Sequence, residues 1–279
     1  MLVNSKEILI NAKNEKKCVP QFNINNLEWT KYILEIVKNL DKPVILGVSE
    51  GAMKHMGGFK TVFNMVGALI VDLDIKSEVV LHLDHGTSFE SCKDAIDAGF
   101  TSVMIDASKL PFEENVDITK RVVNYALEKN VSVEAELGTI PGEEDGIVAE
   151  KAYTNLDEAV KFVELTGIDS LAPSIGSQHG LYKGEVNINY ELLNELNESL
   201  KIPIVLHGGS GISDEDLLKM VELGISKVNI NTELQVGWAK SVRKFLAENP
   251  DVYDPRKINN ASKDSFKEII ENKYKTLYK

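Results

Sequence analysis

Short apolar runs alternate with longer mixed segments along nearly the whole chain. The runs are rich in β-branched residues and almost unbroken: "CVPQFNI" (18–24), "PVILGVSE" (43–50), "EVVLHLDHG" (78–86), "SVMIDAS" (102–108), "SVEAELG" (132–138), "DSLAPSIG" (169–176), "PIVLHGGS" (203–210) and "KVNINTE" (227–233). Unbroken apolar runs of this length predict strands covered on both faces, as in a parallel sheet. Between them, apolar residues recur at helical spacing over Leu27–Asp41, Phe89–Ala98, Asn115–Lys129, Leu156–Thr166 and Asp214–Leu223. Ser213 ahead of "DEDL" is placed to cap a helix start, and Gly99, Gly167 and Gly224 follow helix ends. A further amphipathic helix is predicted at about Ser262–Tyr278.

Eight such strand–helix units predict an α/β fold, a closed (β/α)8 barrel with an extra C-terminal helical segment. The open doubly wound alternative lacks its G-x-G-x-x-G turn after the first strand. No linker or composition break divides the chain, so residues 1–279 are expected to form a single barrel domain. The length of 279 residues and a 43% hydrophobic content suit that expectation. A formal charge of −12 argues against a nucleic-acid partner, which needs a basic footprint. The N-terminus lacks an apolar signal core and no long uncharged apolar stretch follows, so a cytoplasmic protein without a membrane partner is expected. Cys18 and Cys92, in no metal-binding pattern, are expected to be buried thiols.

In a barrel of this type the chemistry lies at the carboxyl ends of the strands. Those ends supply Asn23, Ser49, Asp84, His85, Asp106, Ser108, Glu136, His207, Gly208, Gly209, Ser210, Asn229, Asn231 and Thr232, and the loop after the sixth strand adds His179. A single polar strand end means little. Three histidines, His85, His179 and His207, each followed by glycine at or just past a strand end, mean more. Three imidazoles converging on one rim would form a catalytic zinc site with a position left for substrate. His82, between Leu81 and Leu83, is expected to pack between layers, and His55 to be exposed in a glycine-flanked loop. "LHGGSG" (206–211) and "NINTE" (229–233) suit a phosphate cradle, because glycine turns entering helices present backbone N–H groups. The loop "ELGTIPGEEDG" (136–146) is either a solvated acidic loop or a glycine-bounded flap carrying Glu143 and Glu144 as a movable base.

Together "LHLDHG", "VEAELG", "IPGEEDG", "IGSQHGLYKG", "VLHGGSG" and "KVNINTE" resemble, in order, the class II zinc-dependent ketose-bisphosphate aldolases, from about Val19 to Arg256. The resemblance implies a zinc ion on His85, His179 and His207. It implies Asp84 as acid/base, Glu144 as the flap carboxylate, and Asp106 with Glu136 at a second, buried cation position, divalent or monovalent. It implies a dihydroxyacetone-phosphate site at Gly180, Gly208–Ser210 and Asn229–Thr232. It also implies a phosphosugar substrate and a homodimer or homotetramer. Two departures are "SQHG" where "TAHG" or "NVHG" is frequent, and "PG" at 141–142 for a double glycine.

Chemistry agrees with that resemblance. Breaking a carbon–carbon bond beside a ketone requires a sink for electrons, and an ion on three neutral imidazoles keeps its charge to stabilise an enediolate. No strand-end lysine offers a Schiff base, since Lys227 is read as opening the eighth strand at its far end. Asp84 then exchanges the C4 hydroxyl proton and Glu144 the proton on the dihydroxyacetone-phosphate carbon. Lys183 in "LYKG" is assigned to the C1 phosphate. Arg256 in "DPRK" is assigned to the C6 phosphate, across a subunit interface. The apolar stripe Phe266, Ile269, Ile270, Tyr274 and Leu277 is read as supporting assembly. The substrate stays open between fructose 1,6-bisphosphate, tagatose 1,6-bisphosphate and 6-phospho-5-dehydro-2-deoxygluconate. A non-catalytic sugar-phosphate binder and a metal-dependent hydrolase are the readings from other classes; the usual H-x-H pair of the latter is absent.

Overall fold

The computed structural model describes residues 1–140, 142–144, 147–149, 153–182 and 186–279, with the backbone alone for 142–144 and 147–149. Eight parallel strands close into a barrel: β1 (Val19–Asn23), β2 (Val44–Ser49), β3 (Val79–Gly86), β4 (Ser102–Ile105), β5 (Ser132–Leu137), β8 (Ser170–Pro173), β9 (Ile204–Leu206) and β10 (Ile225–Ile230). They run around the barrel in chain order, and β10 pairs with β1 through Val19↔Lys227 to Phe22↔Ile230. A short antiparallel hairpin, β6 (Gly142–Glu144) with β7 (Ile147–Ala149), follows β5. Among the described residues no helix is long and apolar enough to cross a membrane.

The helices meet their sequence expectations closely. The expected ones appear as α2 (Leu27–Leu40), α5 (Phe89–Ala98), α6 (Phe112–Leu127), α7 (Leu156–Thr166), α9 (Asp214–Glu222) and α12 (Lys263–Leu277). Ser213 accepts from the Asp216 N–H, and Asn26, Ser88 and Asn155 cap α2, α5 and α7 in the same way. Among the described residues there are six more helices: α1 (Lys6–Glu15), α3 (Glu50–His55), α4 (Phe59–Asp72), α8 (Tyr190–Ser199), α10 (Thr232–Glu248) and α11 (Pro255–Asn260). His55 is exposed as expected, but as the last residue of α3 rather than in a loop.

Side chains alternate between the helical shell and the barrel interior. Phe22, Leu46, Leu81, Leu83, Val103, Ala135 and Val228 face outward into one large apolar core beneath the helices. The interior is layered. At its amino-terminal end Val19, Ile45 and Val80 pack on Ile8, Leu9 and Ala12 of α1, which plugs the barrel. Ser5, just ahead of α1, bonds Ser132 (2.8 Å) and Ser102 (3.3 Å), and Ser102 bonds His82 (2.8 Å). His82 is therefore buried, and burial lowers its pKa well below the ordinary histidine value.

Two sequence expectations are corrected here. Lys227 does not sit at the outer end of the last strand. β10 begins at Ile225, and the Lys227 ammonium is buried inside the barrel, 2.7 Å from Glu134. The α12 stripe is consumed within the chain rather than offered to a partner: Phe266, Ile270, Tyr274 and Leu277 are buried, Phe266 stacks edge-on against Trp29 at 4.8 Å, and the Tyr274 hydroxyl donates to Pro43 O at 2.7 Å. This helix packs against α2, α9, α10 and β1, so its apolar face is accounted for within the chain.

Candidate metal centre and active site

A regular strand turns successive side chains to opposite faces, so Asp84 and His85 ought to diverge. They do not. The β3–β4 register shifts between Leu83 and Gly86, and His85 takes a left-handed φ of +50°. That irregularity turns both side chains to the barrel mouth, and strained backbone of this kind is a recurring feature of functional sites. Gly86 completes the turn, because a Cβ there would meet the Met104 carbonyl oxygen at 2.7 Å.

Three imidazoles meet above the interior. The ring centroids of His85 and His207 are 4.7 Å apart, those of His85 and His179 5.1 Å, and those of His179 and His207 5.7 Å. With Glu136 they form the one described group of four whose ligand atoms lie within 4.8 Å of each other. His85 Nδ1 donates to Asp106 Oδ2 (2.9 Å), and His207 Nε2 donates to Glu134 Oε1 (2.9 Å). Carboxylates accept, so the remaining nitrogens, His85 Nε2 and His207 Nδ1, carry lone pairs, and these face each other at 2.9 Å. Two lone pairs so close call for a positive centre between them. Glu136 Oε2 is buried in the same place without a hydrogen-bond partner among the described residues. Neutral imidazoles joined by a carboxylate are the donor set of a divalent transition-metal ion, so these residues fit one.

The electrostatics are consistent with that fit. Burial, followed by the neighbouring His85 and Lys227, holds His207 well below the usual histidine pKa and so in its neutral, ligating form. Burial and then Asp106 push the Glu136 carboxyl up to about 8. Asp106 goes the other way: burial opposes, but the hydrogen bonds and charge of His85 and the Ser108 contacts bring it far below the carboxylate range. Asp106 therefore serves His85 from outside the four-residue group. Asp84 is fully buried. Burial pushes it up, yet His85, His207, Lys227 and the Asn23 hydrogen bond outweigh this and keep it below its ordinary value. Asn23 donates to Asp84 Oδ2 (2.8 Å) and Asn229 to Oδ1 (3.2 Å), which aims the carboxylate.

The other predicted residues fall into four groups. Gly180, Gly208, Gly209, Ser210, Asn229, Asn231 and Thr232 lie in the loops and strand ends beside His179 and His207. There the Ser210 hydroxyl accepts from the N–H groups of Asn231 (3.3 Å) and Glu233 (3.2 Å), and the Gly209 N–H donates to Asn229 O (3.1 Å). Ser49 pairs in register with Asp84 and spends its hydroxyl capping α3. Arg256 is not brought to the rim: its side chain is 87% exposed and its guanidinium is bonded to Asp254 (3.0 and 2.9 Å). The Glu144 side chain and Lys183 lie outside the described residues.

Two residues, Tyr182 and Glu134, escaped the sequence reading, and Lys227 was misplaced by it. Tyr182, in "HGLYKG", ties two loops together: its hydroxyl accepts from the Gln178 N–H (3.1 Å) and donates to Gly208 O (2.8 Å). Glu134 and Lys227 face the barrel interior, one step below Glu136 and Asn229 on their strands. Their signal was available, since a charge at alternate positions of an otherwise buried run must point inward.

Gly208 has φ +67°, and a Cβ on it would strike the Gln178 carbonyl oxygen, next to His179. Gly208→Ala is therefore expected to cost about 1–3 kcal/mol of backbone strain and to separate His179 from His207. Thermal unfolding and metal titration check this together; an unchanged Tm with unchanged metal retention refutes it.

The comparisons with known proteins point one way. A family model described as fructose-bisphosphate aldolase class-II matches residues 3–279. The chain is 53% identical over 273 residues to the fructose-bisphosphate aldolase of Staphylococcus epidermidis RP62A, covering 98% of this chain and 96% of that one. It is 54% identical over 270 residues to the Geobacillus stearothermophilus fructose-bisphosphate aldolase, covering 96% and 94%. Among solved structures, the YdjI aldolase of Escherichia coli K12 superposes with a TM-score of 0.87 at 32% identity, covering 99% and 97%. The fructose-bisphosphate aldolase of Campylobacter jejuni gives 0.85 at 25% identity, covering 99% and 95%.

Proposed function

This chain belongs to the class II fructose-bisphosphate aldolase family, and from that membership we propose that it reversibly cleaves fructose 1,6-bisphosphate to dihydroxyacetone phosphate and glyceraldehyde 3-phosphate, with zinc as its metal. The observation that carries the reading is the pair of facing nitrogens, His85 Nε2 and His207 Nδ1, set 2.9 Å apart beside a buried, amide-aimed Asp84. A phosphosugar binder without catalysis would need neither.

His85, His179 and His207 would hold the ion, with Glu136 as the nearest carboxylate. When bound, it supplies a Lewis acid for the ketone oxygen. Asp84 takes the C4 hydroxyl proton in cleavage and returns it in condensation. Each of its oxygens keeps a lone pair beyond those used by Asn23 and Asn229. Glu144 moves the proton on the dihydroxyacetone-phosphate carbon, an assignment that rests on the family resemblance. Gly180, Gly208–Ser210 and Asn229–Thr232, at the amino-terminal end of α10, and Lys183 take the C1 phosphate. Asn23 and Ser49 stand on the same rim, at the ends of the adjoining strands β1 and β2. The Asp106–Glu136 pair is assigned a second cation on the same resemblance.

Arg256 can serve the C6 phosphate only from a neighbouring subunit, so that role stands or falls with a homodimer or homotetramer. A single-protomer mass by light scattering removes both. The substrate test is a coupled assay for triose phosphate release from fructose 1,6-bisphosphate, tagatose 1,6-bisphosphate and 6-phospho-5-dehydro-2-deoxygluconate side by side. The expected result is the highest kcat/KM on the fructose ester. Preference for another of the three reassigns the substrate, and no cleavage of any of them overturns the proposed activity.

A further inference from the structure

Glu134 and Lys227 form an ion pair at the centre of the barrel, with the carboxylate 2% and the ammonium 1% exposed. The reaction as described uses neither. Stability does not explain them, since a buried pair is seldom better for folding than apolar side chains of the same volume. Its placement does. Glu134 divides its oxygens: Oε2 is held by Lys227 Nζ at 2.7 Å and Oε1 faces His207 Nε2 at 2.9 Å. The other polar atom near Nε2, Asn229 Nδ2 at 3.3 Å, is an amide donor that also bonds Asp84, so it offers Nε2–H no acceptor.

We propose that the Glu134–Lys227 pair is a positioning device that fixes His207 in the tautomer and ring orientation presenting a bare Nδ1 to the metal. This rests on the metal-centre reading above. An imidazole can carry its proton on either nitrogen, and only an acceptor at Nε2 keeps Nδ1 free to ligate. Glu134 is that acceptor. Lys227 anchors the far oxygen, so the carboxylate cannot rotate away, and its charge cancels that of Glu134. The two histidines are thus supported differently: His85 leans on Asp106 near the rim, and His207 on a neutralised pair in the interior. An anchor of no net charge orients the ligand without adding negative charge beneath the metal, whose electrophilicity the reaction needs.

Two measurements test the pair. In the metal-free parent, imidazole ¹⁵N shifts of His207, assigned by their loss in His207→Gln, are expected to show the proton on Nε2. A proton on Nδ1 overturns the proposal. Next, cobalt(II) affinity and ligand-field spectra are compared for Glu134→Gln/Lys227→Met and Glu134→Leu/Lys227→Met. Both variants remove the buried charges, but only the first retains an acceptor for Nε2–H. The Gln/Met protein should stay close to the parent in both readouts. The Leu/Met protein should bind cobalt about 10–100-fold more weakly, with shifted bands. A purely structural pair would move Tm in both variants while leaving affinity and spectrum alone, and parental affinity and bands in the Leu/Met protein overturn the proposal. Should that protein not fold, the tautomer measurement decides. Should the parent bind no cobalt, the metal-centre reading fails separately, and the tautomer still reports on the pair.

Discussion

Dialysis against a strong chelator is expected to lower the cleavage rate by at least about 10³-fold, corresponding to several kcal/mol of lost charge stabilisation, and zinc or cobalt should restore it. His85→Ala and His207→Ala should reproduce the loss without being rescued by metal at ordinary concentration. The reason is geometric. The two facing nitrogens and the Glu136 oxygen, which has no hydrogen-bond partner among the described residues, leave a space that favours positive charge. Lys227, in the barrel interior, is bonded to Glu134 instead. Elemental analysis should find a divalent ion in the active protein and little in either variant. Full turnover by a protein shown to be metal-free rules out the metal-centre reading.

The second large effect separates two carboxylates. Asp84→Ala and Glu144→Ala should each cost roughly 10²–10⁴ in the step they serve, but the steps differ. Asp84 is held by Asn23 and Asn229 at a strand end, where it can meet a substrate hydroxyl and cannot travel. Its loss should stop bond cleavage while solvent exchange of the dihydroxyacetone-phosphate C–H proton continues. Glu144 belongs to the glycine-bounded "PGEEDG" stretch, and its loss should suppress that exchange together with turnover. Because Asp84 adjoins His85, metal content has to be measured in both proteins. If metal-replete Asp84→Ala loses exchange as fully as Glu144→Ala, the division of labour is wrong.

The barrel was readable because its signals are local. An unbroken run such as "PVILGV" needs only its own residues to announce a strand covered on both faces, and Ser213 or Gly167 needs only its neighbours to mark a helix boundary. The three histidines were readable once strand ends were known, since the fold itself gathers strand ends at one rim. What was missed depends on partners far away in the chain. Lys227 makes sense only against Glu134, 93 positions earlier, and α1 as a plug only against Val19, Ile45 and Val80. The α12 stripe misled for the same reason: an amphipathic face reveals that it is covered, not by what. Arg256 was carried over by motif alone, and within one chain nothing brings it to the rim.

The left-handed residue in β3 has a consequence for anyone editing this chain. In a regular strand, inside and outside are a matter of odd and even, and the bulge at His85 changes the parity once. Everything up to Asp84 follows one count, and His85 starts another. Insertions and deletions that a surface loop would absorb are therefore not tolerated in the tripeptide "DHG". Removing or adding one residue there would restore the ordinary count and turn either the proton carrier or the metal ligand out among the helices. The same arithmetic governs transplantation. Copying "DHG" to the end of a regular strand in another barrel would deliver one of its two functional side chains and lose the other.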